Sequence, residues 1–165
     1  MTSKIQPLVL AIDPGFDRVG WAVGSKQASQ TSVKAYGLIQ TAKENSIFAR
    51  YLQIHYQLKA VIDQYQPQIC TIEKLFFAKN KTTALQVAEA RGIIILTALQ
   101  AGLKITEHGP QQIKLAATGY GNADKTAVAK MVRLQLKLPQ EKINDDVIDA
   151  LALLLTETLS HNLLQ

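Results

Sequence analysis

The chain has 165 residues and 47% apolar content, enough for one sizeable core and too little for two ordinary domains, so a single compact domain over 1–165 is expected. Eighteen Lys and Arg against 13 Asp and Glu favour an anionic partner without identifying one. Cys70 is the only cysteine, which excludes an intrachain disulfide and suits a reducing cytoplasm, and the apolar runs at 8–12 and 93–96 are far short of the ~20 residues that span a bilayer, so a soluble protein with no membrane partner is expected.

Leu8-Val9-Leu10-Ala11-Ile12 stops at Asp13-Pro14-Gly15, which reads as a buried central strand with Asp13 at its carboxyl end. Strands over Val19–Gly24 and Val33–Gln40 follow, separated by the polar stretch Ser25–Ser32, and complete an antiparallel meander anchored by Trp21 and Tyr36. From Ile47 the apolar residues Tyr51, Ile54, Leu58, Val61, Ile62 and Tyr65 recur on one helical face until Pro67. Ile69–Glu73 is a short strand with its acid again at the carboxyl end, and Cys70 within it reads as a buried free thiol.

A second helix is expected from about Thr83 to Ala101; its apolar turn Ile93–Leu96 lies either deep in the core or half in the core and half in a subunit interface. Leu103–Thr106 makes the last strand, Pro110 opens a short helix, and Gly119-Tyr120-Gly121 forms a turn. Helices over Ala123–Leu138 and from Asp145 to about Leu163 finish the chain. The expected fold class is therefore α/β, a mixed sheet with helices on its faces.

Ligands gather at strand carboxyl ends in such sheets, which brings Asp13 and Glu73 together as candidates. Asp146 and Asp149 are three apart and project from one face near a helix amino terminus, where negative charge is favoured. Four such carboxylates in one place cannot all stay ionised unaided: either some protonate or cations neutralise them. Hard divalent ions accept oxygen ligands, and two of them can activate a water and stabilise a leaving oxygen in phosphodiester hydrolysis. With four acids so committed, the remaining nine face 18 Lys and Arg, a surplus suited to a polyphosphate. Each acid taken alone also fits a turn, a strand exit or a helix cap. Asp149 fits such roles least, and Asp145 is read as the cap or a first-turn acid, with its register against Asp146 left open.

Three segments, in order, resemble the RuvC family of Holliday-junction resolvases: Ala11-Ile12-Asp13-Pro14-Gly15 with Val19-Gly20-Trp21-Ala22-Val23, then Ile72-Glu73-Lys74-Leu75-Phe76, then Asp146-Val147-Ile148-Asp149-Ala150-Leu151-Ala152. Phe77-Ala78-Lys79-Asn80, Ala90-Arg91-Gly92 and the stretch Thr118 to Lys125 are similar too, so the likeness covers nearly the whole chain. The resemblance implies a ribonuclease-H-like five-stranded mixed sheet and a homodimer. It also implies Mg2+-dependent endonucleolytic cutting of four-way DNA junctions in recombination and repair, with two ions per subunit and Mn2+ as a substitute.

It carries metal and catalytic roles to Asp13, Glu73, Asp146 and Asp149, DNA-contacting roles to Lys114 and Lys125, and an aromatic wedge to Phe76, with Phe77 as its competitor. Lys79, Lys81 and Arg91 are further DNA-binding candidates, and Lys74 is either near phosphate or solvated. RuvA and RuvB branch-migration proteins are the partners it suggests.

Phe16-Asp17 departs from the family pattern, and Asp17 is read as loop surface. His55, His108 and His161 lack metal-ligand spacing and are read as ordinary surface or core histidines. The alternatives are another ribonuclease-H-like nuclease acting on RNA or simple duplex, an inactive DNA-structure-binding module and, least favoured, an actin-like ATPase, which needs a second lobe this length does not allow.

Overall fold

The computed structural model describes residues 6–75 and 83–160. The expected α/β architecture is present: a five-stranded mixed sheet in the order β3-β2-β1-β4-β5, with helices on both faces. Strands β1 (Val9–Asp13), β2 (Arg18–Gln27) and β3 (Gln30–Gln40) pair antiparallel, while β4 (Ile69–Glu73) and β5 (Lys104–His108) extend the sheet in parallel from β1. The helices are α1 (Ile47–Tyr65), α2 (Ala84–Gln100), α3 (Pro110–Thr118), α4 (Lys125–Gln135) and α5 (Asp145–Ser160).

Successive side chains on a strand point to opposite faces, and β1 separates two cores on that rule. Leu10 and Ile12 pack with Cys70, Ile72 and the apolar faces of α1 and α2, whereas Val9 and Ala11 pack with Ile69, α4 and α5. The same parity sends Asp13 and Glu73 to the α5 side. On β2, Val19, Trp21 and Val23 fill the α1 side, leaving the small residues Gly20, Ala22 and Gly24 toward α5. The helix sits deep in that trough: a Cβ on Gly20 would lie 1.9 Å from the Asp146 carbonyl oxygen, and one on Gly24 would lie 2.9 Å from Leu154 Cδ2. Residues Val147, Ile148 and Ala150–Thr158 of α5 are all buried.

Several boundaries differ from the sequence reading. The polar stretch Ser25–Ser32 is not a loop; β2 and β3 continue through it with Gln27 opposite Gln30, and Ala28 takes a left-handed φ of 53° in the two-residue turn. Strand β5 runs on to His108 because Glu73 pairs with it. Helix α4 is shorter than expected, since the Asp124 side chain caps it by accepting from the Ala127 amide at 2.7 Å. The expected end of α5 at Leu163 falls outside the described residues.

The turn at Ile93–Leu96 is not wholly in the core: Ile94 is buried and Leu96 is 55% exposed. Trp21 and Tyr36 anchor opposite faces of the meander, Trp21 against α1 with its ring 6.0 Å from that of Tyr65. No helix among the described residues is long and apolar enough to cross a membrane.

Candidate active site

Asp13 ends β1 and Glu73 ends β4 on the same side of the sheet, and the amino-terminal end of α5 delivers Asp146 from its first turn and Asp149 from its second beside them. The cap of α5 is Asn144, whose Oδ1 accepts from the Asp146 amide at 2.9 Å; Asp145, read from the sequence as the cap or a first-turn acid, is the first helical residue. Asp146 and Asp149 are the α5 acids that act on Asp13, while Asp145 acts on Asp149 and Lys125.

Crowding shows in the acid strengths. Burial, then the charges of Asp149, Glu73 and Asp146, push the Asp13 carboxyl up to about 8, against the relief offered by Lys125. Burial and Asp149 likewise raise Glu73, and burial raises Asp149 against the pull of Lys125. Lys125 itself is depressed by burial, but the bond to Asp149 and the charges of Asp149, Asp145 and Asp13 outweigh this and hold it above the usual lysine range.

Among the described residues, two cations meet the acids directly. Lys125 Nζ donates to Asp149 Oδ2 at 3.0 Å from the start of α4. Arg18, the first residue of β2, sets its Nε 2.7 Å from Asp146 Oδ2, yet off the line of a hydrogen bond, so that this buried oxygen has a neighbouring charge and no hydrogen-bond donor. In this arrangement no group of three His, Cys, Asp or Glu side chains among the described residues is set to hold one ion. The chemistry of the donors nevertheless fits a hard divalent cation: all four are carboxylates, they repel one another, and one buried oxygen lacks a donor.

An open cleft of about 220 Å³ beside the acids is lined by Glu73, Asp149, Lys114, Lys125, Pro110 and Ile113 among others, so both family-assigned lysines face it. Arg91 does not stand free for phosphate. It pairs with Glu107 and donates from Nε to the Glu73 carbonyl at 3.3 Å, so that in this structure it braces the end of β4. Lys74 is exposed, and its amide donates to the His108 carbonyl at 3.0 Å.

Asp17 is more than loop surface. It pairs with the buried Arg50, whose Nε donates to Thr41 Oγ1 at 2.8 Å and whose guanidinium lies over the Phe16 ring, so the departure Phe16-Asp17 clamps the Asp-Pro-Gly loop to α1. His108 is a core histidine with Nε2 at 2.5 Å from Glu157 Oε2. His55 meets Thr97 Oγ1 through Nδ1 at 2.8 Å. Phe76, Phe77, Lys79, Lys81 and His161 lie outside the described residues.

Sequence reasoning missed Arg18, Asn144 and Gly20. Alternating small residues at 20, 22 and 24 signalled a close-packed neighbour for β2; nothing local marked Arg18, whose partner is remote in sequence.

Comparison with known proteins identifies the family. The family described as crossover junction endodeoxyribonuclease RuvC matches residues 9–157. Relatives of that name from Caldicellulosiruptor saccharolyticus and Petrotoga mobilis are 44% and 43% identical, covering 92% and 88% of this chain and 92% and 89% of their own lengths. The structure of Thermus thermophilus RuvC in complex with Holliday junction substrate superposes with a TM-score of 0.88 at 28% identity, over 95% of this chain and 96% of that one. The yeast mitochondrial Holliday junction resolvase Ydc2, 13% identical, shares the fold with a TM-score of 0.66 over 93% of this chain and 80% of its own. With a family match over most of its length and relatives above 40% identity, the chain belongs to the RuvC family of crossover junction endodeoxyribonucleases.

Proposed function

We propose that this chain is a crossover junction endodeoxyribonuclease that resolves four-way DNA junctions by divalent-metal-dependent phosphodiester hydrolysis, acting in recombination and repair as one nuclease domain over 1–165. The observation that carries the chemistry is the meeting of strand-end acids Asp13 and Glu73 with Asp146 and Asp149 beside a lysine-lined cleft. The junction as substrate rests on family membership.

The four carboxylates hold Mg2+, two ions per subunit with Mn2+ as a substitute, and the bound metal supplies an activated water and charge stabilisation at the phosphate. Asp13 and Glu73 are fixed on strand ends and set the floor of the site. Asp146 and Asp149 approach from α5. Lys125 and Lys114 border the cleft, where their charges attract the DNA backbone and offset charge gathering on the phosphate under attack. Phe76, with Lys79 and Lys81, serves the unpaired bases and phosphates at the junction centre.

A two-fold substrate calls for a homodimer. The exposed apolar residues Phe48, Leu52 and Tyr56 of α1 and Leu96 and Leu99 of α2 favour that face as the contact. RuvA and RuvB are the branch-migration partners suggested by the family, and a cytoplasmic location follows from that role.

The test is cleavage of a synthetic four-way junction, its matched linear duplex and an RNA–DNA hybrid, each with Mg2+ or chelator. Paired cuts in the junction alone, dependent on Mg2+, are expected. Equal cutting of the linear duplex overturns junction selectivity, and preference for the hybrid supports the ribonuclease-H alternative.

A further inference from the structure

Arg18 stands at the site without a role in the reading above. It opens β2, its side chain is 52% exposed, and it reaches from the opposite flank to Lys125, so each α5 acid of the site is held by one cation from a different element. The two contacts differ. Lys125 donates a well-formed hydrogen bond to Asp149, whereas the Arg18 Nε lies 2.7 Å from Asp146 Oδ2 without pointing at it, leaving a buried carboxylate oxygen charge-paired but with no donor. A guanidinium in a fitted structural pair aligns its fork with the carboxylate. The misaligned one here is itself half exposed, so water or a phosphate can take its guanidinium, and a metal ion in its place keeps the buried Asp146 oxygen paired.

We propose that Arg18 is a displaceable counter-cation for Asp146, which competes with the divalent metal in the DNA-free protein and moves to a backbone phosphate when the junction binds. The proposal rests on the metal-site reading above. Its consequence is a coupling between two ligands. A phosphate that takes Arg18 releases Asp146 Oδ2 for metal, so metal affinity rises with DNA bound, and by linkage DNA affinity rises with metal bound by the same factor. Arginine suits the part, since its planar fork is matched to phosphate and it stays charged throughout.

The test measures Mn2+ binding to the full chain by titration calorimetry and by the loss of free-ion paramagnetic signal, without DNA and then with a four-way junction. The proteins are wild type, Arg18→Gln, Arg18→Lys, Lys59→Gln and, as the control for the metal site itself, Asp13→Asn. Lys59→Gln removes the same charge from α1, on the other face of the sheet, where Lys59 pairs with Asp63. Arg18→Gln should bind Mn2+ about threefold to tenfold more tightly than wild type without DNA, the range expected for losing one nearby charge at a partly exposed site. Lys59→Gln should change it less than twofold. Arg18→Lys, which keeps the charge, should restore the weak binding. With junction present the gap between Arg18→Gln and wild type should close. Metal-free junction binding by Arg18→Gln should lose about one unit of salt slope per engaged phosphate.

An Arg18→Gln affinity no different from that of Lys59→Gln overturns the proposal. If wild type binds Mn2+ no better than Asp13→Asn does, the metal-site reading fails, and the Arg18 proposal fails with it. A purely structural Arg18 would lower the melting temperature and leave the DNA-dependent difference in metal affinity at its wild-type value.

Discussion

Gly20 and Asp146 meet backbone to backbone, with no room for a side chain between β2 and the first turn of α5: a Cβ on the glycine would fall 1.9 Å from the Asp146 carbonyl oxygen. Because Gly20 also pairs with Asp13 across β1 and β2, this one contact sets the distance between the strand-borne and helix-borne acids.

Gly20→Ala should therefore displace the amino end of α5 and loosen the site. The forced overpacking is expected to cost about 1–3 kcal/mol of stability. Cleavage should fall by 100-fold or more, of the order that misplacing catalytic groups by about 1 Å produces. Thermal melts and single-turnover cutting check both; an active variant with unchanged melting would show that α5 moves aside freely.

Asp13 links the site to stability. Its carboxyl is held at about 8 in the metal-free fold against 3.8 ordinarily, so between those values the folded state binds more protons than the unfolded one. Stability then falls as pH rises from about 4 through 8. In chelator, the melting temperature should drop over that window and Asp13→Asn should flatten the drop, melting roughly 3–8 °C above wild type at pH 8. Mg2+ should recover the wild-type loss at pH 8 and do little for the variant. A pH-independent wild-type melt in chelator would contradict this.

Asp146→Asn should abolish cleavage while junction binding stays intact or strengthens, because a metal ligand and one repulsive charge are removed together. Gel-shift and cleavage assays on one junction separate the two effects, and retained cutting would take Asp146 out of the site.

Leu96→Glu tests the apolar face of α1 and α2. Leu96 is exposed beside Phe48 and Leu52, so the substitution should not disturb the core. Sedimentation at micromolar concentration should shift from dimer to monomer with the melting temperature lowered by no more than subunit dissociation explains. A monomeric wild type would remove this face from consideration.

Cys70, fully buried on β4 with its thiol pushed up to about 12 by burial, should be unreactive toward thiol reagents in the native state. Labelling should track global unfolding in denaturant; fast labelling of the native protein would mean that β4 opens locally.

The strand-end acids were legible because a strand's residue parity and its terminating turn are local, so Asp13 and Glu73 could be placed without knowing the fold. The apolar stripe of α1 was legible for the same reason, down to its last residue before Gln66. What escaped depends on remote partners. Arg18 acquires meaning from Asp146, Asp17 from Arg50, and Arg91 from Glu107 and the Glu73 carbonyl. The polar stretch at 25–32 misled because edge hairpins bury little, and their hydrogen-bonded ladder needs no apolar alternation to form.

The last turns of α5 carry two buried polar residues with partners on the sheet: Thr158 meets Thr31 at 2.6 Å, and Glu157 takes bonds from Thr106 at 2.8 Å and His108 at 2.5 Å. Close packing in the glycine trough sets the depth of the helix, but apolar side chains can repack and so resist a small turn about its axis less sharply than directional bonds do. Directional bonds at the carboxyl end remove that freedom, and they index the azimuth of every residue upstream. The aim of Asp146 and Asp149 is thus partly decided three turns away, so changes at Glu157 or His108 should appear as mis-aimed carboxylates with no atom of the site replaced.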